Sequence, residues 1–261
     1  MTARLAALLV LLPAFASANC GLSFCPVGGH GSMSSVWSLS ADVEQTGFVL
    51  GGLSGHYAQL IPRIEHRGFK NWVLGGALPV VSLTEAGGET QNGLANALLF
   101  AEKSLPGGNW KPALGLQLEV PIGDHDHGIA ADHWMLVPYA SMVRSFGETF
   151  VLARAGYRRA FGGQDEDPLH PLLVNPHADQ ELLYRLGVGS HWAEKSLMAQ
   201  AYLDGQRVLS ADSEFKDFVA AGAQGALRLD SDLDLTANAE LPLSAPSRFD
   251  WRVGVGLTFR R

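Results

Sequence analysis

The last eleven residues before the C-terminal arginine pair alternate without a break between two kinds of side chain. From Phe249 to Phe259, every odd position is apolar and every even position is polar or glycine. Successive side chains of a strand point to opposite faces, so this segment predicts a strand with one apolar and one polar face. Such a strand is typical of the closing strand of a transmembrane β-barrel, whose apolar face contacts lipid. The Arg260-Arg261 tail departs from the usual pattern, which ends on the aromatic residue.

The same alternation recurs along the chain at regular intervals. It is clearest in the segments 36–44, 57–65, 111–120 and 232–241. Seven less regular strands are predicted at 71–81, 92–103, 133–145, 148–160, 180–192, 196–207 and 216–229. A tilted strand needs about 9–11 residues to cross a bilayer, and an even number of strands returns both termini to the periplasm. We therefore predict an all-β fold, an antiparallel transmembrane β-barrel of about 12 strands.

The predicted connections fall into two length classes, as expected for a barrel with periplasmic termini. Short periplasmic turns are predicted near 66–68, 104–109, 146–147, 193–195 and 229–231. Longer outward loops are predicted at 45–56, 82–91, 122–132 and 161–179, with a shorter one at 242–247. Pro62 and Pro138 lie inside predicted strands, and each requires a bulge or a strand end because proline cannot donate to the ladder.

The N-terminus has the three parts of a secretory signal peptide. Arg4 supplies the positive charge, Leu5 to Leu12 form the apolar core, and Ala16-Ser17-Ala18 is a cleavage site of small residues. We predict a cleaved signal peptide over residues 1–18, a periplasmic segment over 19–35 and the barrel over 36–261. Cys20 lies close to this cleavage site, which leaves lipidation as an alternative, although Asn19 is an unsuitable residue before a lipid-bearing cysteine.

The composition narrows the classes of function. Cys20 and Cys25 are expected to form a local disulfide in an exported chain, with a metal site that includes His30 as the alternative. The net charge of −7 argues against a nucleic-acid partner, because nucleic-acid binding needs clustered cations. The motifs of hydrolases, metalloproteases and phosphate-binding enzymes are absent from the sequence, so we expect no enzyme activity.

Two central segments carry a recognisable pattern. A glycine-rich strand over 93–103 is followed by a strand over 112–124 that ends in Pro121-Ile122-Gly123-Asp124. This pair resembles the outer-membrane barrels associated with the meta-pathway of phenol degradation, a transporter-like family. The resemblance implies a barrel in the outer membrane of a Gram-negative bacterium. It also implies passage or binding of a small hydrophobic or aromatic molecule.

Charged residues on the polar faces of the predicted strands are candidates for lining the lumen. They are Arg63, Glu65, Glu119, Arg154, Arg158, Arg185, Arg228, Asp232, Asp234, Glu240, Asp250 and Arg252. Mixed charge inside a barrel of this size either lines a narrow polar channel or closes it with salt bridges. The sequence leaves both outcomes open.

Histidines and carboxylates are concentrated in two of the outward loops. The candidate metal ligands are His125, Asp126, His127, His133, His170 and His177. Imidazole and carboxylate groups bind divalent metals, although the same residues are ordinary in hydrophilic loops. No other cofactor is expected.

These observations lead to one leading prediction and one alternative. The leading prediction is a monomeric outer-membrane barrel through which a small molecule passes or to which it binds. The alternative is a cell-surface barrel that binds or handles metal ions through its histidine-rich loops. The expected partners are outer-membrane lipid, the barrel assembly machinery and a small solute.

Overall fold

The structure is a computed structural model that describes residues 37–50, 52–125, 127–162, 172–192, 194, 196–210, 217–245 and 248–261. The predicted signal peptide, the segment 19–35 and both cysteines lie outside the described residues. None of the described residues belongs to a helix of the length and apolarity that a bilayer crossing needs. The strands are β1 (Trp37–Leu50), β2 (Leu53–His66), β3 (Trp72–Ala77), β4 (Val80–Glu85), β5 (Thr90–Leu94), β6 (Ala97–Ser104), β7 (Trp110–Val120), β8 (Trp134–Phe146), β9 (Thr149–Phe161), β10 (Gln180–Trp192), β11 (Leu197–Val208), β12 (Phe218–Arg228), β13 (Leu233–Pro242) and β14 (Trp251–Arg260).

The strands form one closed antiparallel sheet. β1 pairs with β2 on one side and with β14 on the other, which closes the barrel. β2 pairs with both β3 and β4, and these two pair in turn with β6 and β5. The segments β3 and β4 are therefore two halves of one barrel strand, as are β5 and β6. The result is a closed barrel of 12 strands, and the predicted fold class is confirmed.

Proline explains the break between β3 and β4. The break falls at Leu78-Pro79, opposite Pro62 of β2, and the Pro62 carbonyl accepts a hydrogen bond from the Leu78 N–H at 3.2 Å. Neither proline can donate to the ladder, so the interruption lies where a donor is missing. The strand end required by Pro62 is therefore found in the neighbouring strand.

Pro138 is accommodated differently. Pairing between β8 and β9 stops after Leu136↔Arg159 and resumes at Tyr139↔Gly156 in the same register. The ladder is interrupted locally, with neither the bulge nor the strand end that the sequence suggests. A two-residue gap is enough because only one donor is missing.

The barrel is apolar outside and polar inside. In β1, the side chains of Leu39 and Val43 are 53% and 54% exposed, whereas those of Asp42 and Glu44 are buried. Exposed tryptophans lie at both ends of the strands: Trp37, Trp72, Trp110 and Trp192 at the end where β1 begins and β14 ends, and Trp134 and Trp251 at the other. An apolar belt between two aromatic girdles is the surface of a barrel in an outer membrane. We call the end where β1 begins periplasmic and the opposite end extracellular.

Two predicted extracellular loops are wrong. Segments 45–56 and 82–91 belong mostly to strands, because β1 and β2 stay paired as far as Leu50 and Leu53, and β4 and β5 are joined by a tight turn at 86–89. Gly52 and Gly87 have φ values of 88° and 80°, the left-handed conformation that such turns need. The prediction fails because the inward face becomes apolar here, for instance at Phe48, so the alternation that marks a barrel strand disappears.

Glycines in the wall make room for aromatic rings on the neighbouring strand. Gly115 is paired with Tyr139, and Gly222 is paired with Tyr202. In both cases a Cβ on the glycine would collide with the ring. A ring that lies flat over a cross-strand glycine covers exposed backbone, which accounts for part of the high glycine content.

The C-terminal arginines belong to the barrel closure. Trp37 and Arg261 exchange two backbone hydrogen bonds of 3.0 and 2.9 Å, and Arg260 forms an ion pair with Asp234. Phe249 differs from the prediction. It precedes β14, is buried, and packs against Phe218 instead of facing outward.

We expect Val255→Arg to destabilise the barrel by about 2–4 kcal/mol, because Val255 lies outward near the middle of β14. Leu229→Arg is the matched control. Leu229 is also exposed but lies in a periplasmic turn, where the cost should be about 0–1 kcal/mol. Equilibrium unfolding in lipid vesicles measures both variants, and equal losses would contradict the assigned faces.

Candidate functional site

The interior of the barrel is lined with buried polar and charged side chains. Of the predicted lumen-lining residues, the structure buries Glu65, Glu119, Arg154, Arg158, Arg185, Asp234, Glu240 and Arg252, and it leaves only 9% of the Arg63 side chain exposed. These residues come from six strands and converge because every second residue of each strand points inward.

Three predicted residues are placed differently. Asp232 is exposed in the turn before β13, and Asp250 is exposed in the loop before β14. Arg228 is the last residue of β12, and its side chain is 42% exposed at the periplasmic rim, where it approaches Asp234. All three lie at or beyond a strand end, where strand alternation no longer fixes the direction of a side chain.

Arg252 is the centre of a buried ion-pair network. Its guanidinium lies 3.2 Å from Glu44 of β1 and 3.1 Å from Glu240 of β13. It also donates to Asn175 at 3.1 Å and contacts Tyr57 at 3.5 Å. One side chain therefore connects the two ends of the barrel sheet with a loop from the extracellular side.

The network continues along the inner wall through Glu240. The Tyr202 hydroxyl donates to Glu240 at 2.8 Å, and Arg185 lies 3.7 Å from the same carboxylate. Arg185 also forms a two-point ion pair with Asp204 and lies over the Tyr202 ring. A guanidinium held by two carboxylates and an aromatic face is fully satisfied in a buried site.

Two further clusters lie on the inner wall. Arg158 and Arg248 both bind Glu181, at 2.6 and 2.5 Å. Elsewhere the Tyr139 hydroxyl donates to Glu102 at 3.1 Å, and Arg154 lies 3.6 Å above the Tyr139 ring. Opposite charges are paired throughout this part of the inner wall, so the buried carboxylates and guanidinium groups neutralise one another.

Sequence reasoning did not select several members of these clusters. Glu44 follows the alternation of β1 and could have been included. Glu181, Asp204 and Glu102 lie in strands with less regular alternation, and Arg248 lies in a loop. For these four, the sequence offers no local signal, since their direction depends on the register of the whole barrel.

Two loop segments fold into the extracellular mouth of the barrel. We call residues 121–133 (without 126) and 172–179 the plug. Ile129, Leu173 and Val174 of the plug are buried against an apolar patch on the inner wall formed by Phe48, Tyr57, Val81, Leu83 and Ala95. The two segments also join each other, because the Leu173 and Val174 N–H groups donate to the Gly128 carbonyl. The apolar patch explains why polar alternation ends near the top of the wall.

Asp124 fastens the plug to the barrel wall. β7 pairs with β6 and ends at Val120, so among the described residues β5 has a strand neighbour on one side only. Asp124 replaces the missing neighbour: its backbone N–H donates to the Leu94 carbonyl at 2.8 Å, and its carboxylate accepts from the Leu94 N–H at 2.9 Å. A single residue thus satisfies both backbone groups of Leu94.

The two sequence segments that carry the family resemblance meet where Asp124 binds Leu94. A Cβ at Gly93 would collide with the Asp124 carboxylate, and a Cβ at Gly123 would collide with the Leu94 carbonyl. Asn96 adds two bonds, donating to the Ala131 carbonyl at 2.7 Å and accepting from the Gly123 N–H at 3.1 Å. The glycines and polar residues of the motif therefore have one structural role, the docking of the plug.

The structure brings two of the six predicted metal ligands together. His133 and His177, one from each plug segment, are buried with their Nε2 atoms 3.0 Å apart. Burial lowers the pKa of both rings, that of His177 to about 3, with repulsion from Arg158 adding to the effect. Both rings are therefore neutral at physiological pH.

The other predicted ligands are not part of this pair. His125 and His127 are exposed, and Asp126 and His170 lie outside the described residues. Within the described ranges, no group of three or more His, Cys, Asp or Glu side chains is placed to hold a metal ion.

A small cavity of about 30 Å³ separates the plug from the wall. Its lining is mostly apolar and includes Ala95, Leu98 and Ile129, with Glu119 and His177 as charged or titratable groups. This volume has room for about two water molecules. The plug is therefore docked closely against the wall.

Comparison with known proteins identifies relatives in sequence pattern and in fold. The family model described as "Putative MetA-pathway of phenol degradation" matches residues 40–259. No curated protein matches the chain in sequence.

Several solved structures share the fold at low sequence identity. An outer-membrane channel from Pseudomonas putida F1 superposes with a TM-score of 0.73 at 11% identity, over 91% of this chain and 99% of that chain. The KdgM porin gives 0.54 at 12% identity, over 86% and 99%. The NanC porin gives 0.53 at 12% identity, over 85% and 100%. The fold is therefore that of outer-membrane channels and porins.

We expect Arg252→Met to destabilise the barrel by about 3–5 kcal/mol, because Glu44 would be left buried without its ion-pair partner and Glu240 would lose the nearer of its two guanidinium groups. Arg228→Met removes the half-exposed pair with Asp234 and should cost less than about 1 kcal/mol. Equilibrium unfolding in vesicles compares the two. A loss at Arg252 as small as that at Arg228 would show that the network is hydrated and weak.

Proposed function

Because the chain belongs to the family described as "Putative MetA-pathway of phenol degradation", we propose that it passes a small molecule across the outer membrane through its lumen. One observation carries this proposal. The extracellular mouth is blocked by two loop segments that dock on the wall through a small number of contacts, whereas the strands of the wall pair into a closed sheet. A removable block in a permanent barrel is what a gated channel requires.

The inner surface favours a small solute with an apolar body. Phe48, Tyr57, Val81 and Leu83 form an apolar wall behind the plug, and a solute that displaces the plug would contact this wall. Deeper in the lumen, charged groups are paired with opposite charges, which leaves little net field to attract an ion. A neutral hydrophobic or aromatic molecule fits both surfaces better than an ion does.

Passage fits the lumen better than catalysis does. The buried carboxylates Glu44, Glu181 and Glu240 each face a guanidinium, which holds them as ion-pair partners. A general acid or base needs a proton that can move to or from a substrate. We also expect the barrel assembly machinery to insert the chain, since β14 must pair with β1 to close the sheet.

Metal handling is the alternative function. The observation that favours it is the buried pair His133 and His177, which joins the two plug segments. A metal ion bound by this pair would act on the position of the plug. This function does not require a pathway for a solute through the lumen.

We expect Asp124→Ala to increase channel opening. The carboxylate bond to the Leu94 N–H contributes about 1.5–3 kcal/mol as a bond to a charged acceptor. Its loss should raise the undocked population about tenfold or more. Conductance across planar bilayers and swelling of liposomes in a small sugar measure the change.

Asp230→Ala is the matched control for this experiment. Asp230 is an exposed aspartate that accepts from the Ser231 N–H in a periplasmic turn, far along the chain from the plug. Its replacement should leave conductance unchanged. If neither the wild type nor Asp124→Ala conducts ions or solutes, the proposed function is wrong.

A further inference from the structure

Two tryptophans of the periplasmic girdle are each paired with a basic residue. Trp72 is the first residue of β3 and lies directly opposite Lys103 of β6. Trp110 is the first residue of β7 and lies directly opposite Arg144 of β8. Directly opposed residues of two strands point to the same face of a sheet. Both tryptophans are exposed on the outside of the barrel, so both cations lie on its lipid-facing side.

Aromatic rings hold both cations. The Nζ atom of Lys103 lies 5.4 Å from the centroid of the Trp72 ring. The Cζ atom of Arg144 lies 4.8 Å from the centroid of Trp110 and 4.7 Å from that of Phe146, the last residue of β8. The π electrons of a ring attract a cation at this distance. A ring offers no oxygen acceptor, however, and the five N–H groups of a guanidinium still need acceptors.

The protein itself supplies no anion to these two cations. Within the part of the chain that the structure describes, neither Lys103 nor Arg144 forms an ion pair or a side-chain hydrogen bond. Glu102, the neighbour of Lys103 in the chain, is buried in the lumen instead. By contrast, Arg228 at the same end of the barrel approaches Asp234. The donors of Lys103 and Arg144 are therefore available to an anion from outside the chain.

The height of the two cations indicates which anion is present. Lys103 is the next-to-last residue of β6, and Arg144 lies two residues before the end of β8. An aromatic girdle lies at the level of the lipid headgroups, and long basic side chains extend their charge to the same level. The periplasmic leaflet of an outer membrane consists of phospholipids, whose phosphates lie there. Guanidinium and ammonium groups are the side chains that bind phosphate in proteins.

We propose that Arg144 with Trp110 and Phe146, and Lys103 with Trp72, form two binding sites for the headgroups of anionic phospholipids in the periplasmic leaflet. Strand β7 separates β6 from β8, so the two cations are at least two strand spacings, about 10 Å, apart. Each cation therefore binds a different lipid molecule.

The sites prefer a headgroup with a net negative charge. In phosphatidylglycerol the phosphate charge is not compensated within the headgroup, so a basic residue attracts it. In phosphatidylcholine the headgroup carries its own cation, which competes with the side chain for the phosphate. Bound lipid would fix the depth of this part of the wall in the membrane, whether or not a solute passes through the lumen.

Native mass spectrometry of the refolded full-length barrel tests the sites. The barrel is incubated with equal amounts of phosphatidylglycerol and phosphatidylcholine, and the lipids that stay bound are counted. We expect retention of phosphatidylglycerol to exceed that of phosphatidylcholine about fivefold, the factor for one basic residue near an anionic membrane surface. Lys103→Met/Arg144→Met should bring the ratio close to one.

Arg228→Met is the matched control. It removes a cation at the same end of the barrel that approaches a carboxylate, so the lipid preference should remain that of the wild type. A wild type without preference, or an equal loss of preference in the control, would overturn the proposal.

Two further measurements cover the case in which the double variant does not fold. Lys103→Arg/Arg144→Lys keeps both charges and should keep the preference; its loss there contradicts binding through charge. Excess inorganic phosphate, compared with chloride at equal ionic strength, should leave the lipids of the wild type bound. If phosphate alone displaces them, the cations form a site for free anions. A wild type that retains no lipid and appears as a dimer has a second copy of the chain on this surface. Either result disproves the lipid sites.

Discussion

Backbone hydrogen bonding closes this barrel and determines where every other part can lie. In hydrocarbon an unpaired N–H or C=O group costs several kcal/mol, so a sheet must close on itself. Here the closure joins Trp37 to Arg261 by two backbone bonds. Where a strand neighbour is absent, beside Leu94, the Asp124 side chain and backbone supply the bonds instead. The residues that carry the family resemblance thus satisfy backbone groups that would otherwise lack a hydrogen-bond partner in the sheet.

Closure also directs charged side chains inward, where each is stable only when it is paired with an opposite charge. Alternation points polar groups away from lipid, and a narrow lumen holds them close enough to form ion pairs. Arg252 shows the result, because it links β1, β13 and the plug through Glu44, Glu240 and Asn175. The ion pairs that line the lumen therefore also fix the position of the loops.

Strands were predicted from the sequence wherever one face of the strand is apolar and the other is polar. β13 and most of β14 meet this condition, and their strand character was predicted correctly. The prediction failed at Phe48, where plug contacts make the inward face apolar. Lumen partners such as Asp204 and Arg248 could not be predicted, because their pairing depends on barrel register and loop docking. His133 and His177 were selected as candidates by residue type, but only the fold shows that they meet.

Permeability with the plug locked or released tests the central claim, that the docked plug is the barrier. A Cβ at Gly93 would lie 3.0 Å from the Asp124 Cβ, slightly closer than the ~3.8 Å of a disulfide. Gly93→Cys/Asp124→Cys, with Cys20 and Cys25 replaced by Ser, can therefore be locked by oxidation. We predict liposome swelling near that of protein-free vesicles when the cysteine pair is oxidised, and faster swelling after its reduction. Equal swelling in both states would show that the plug is not the barrier.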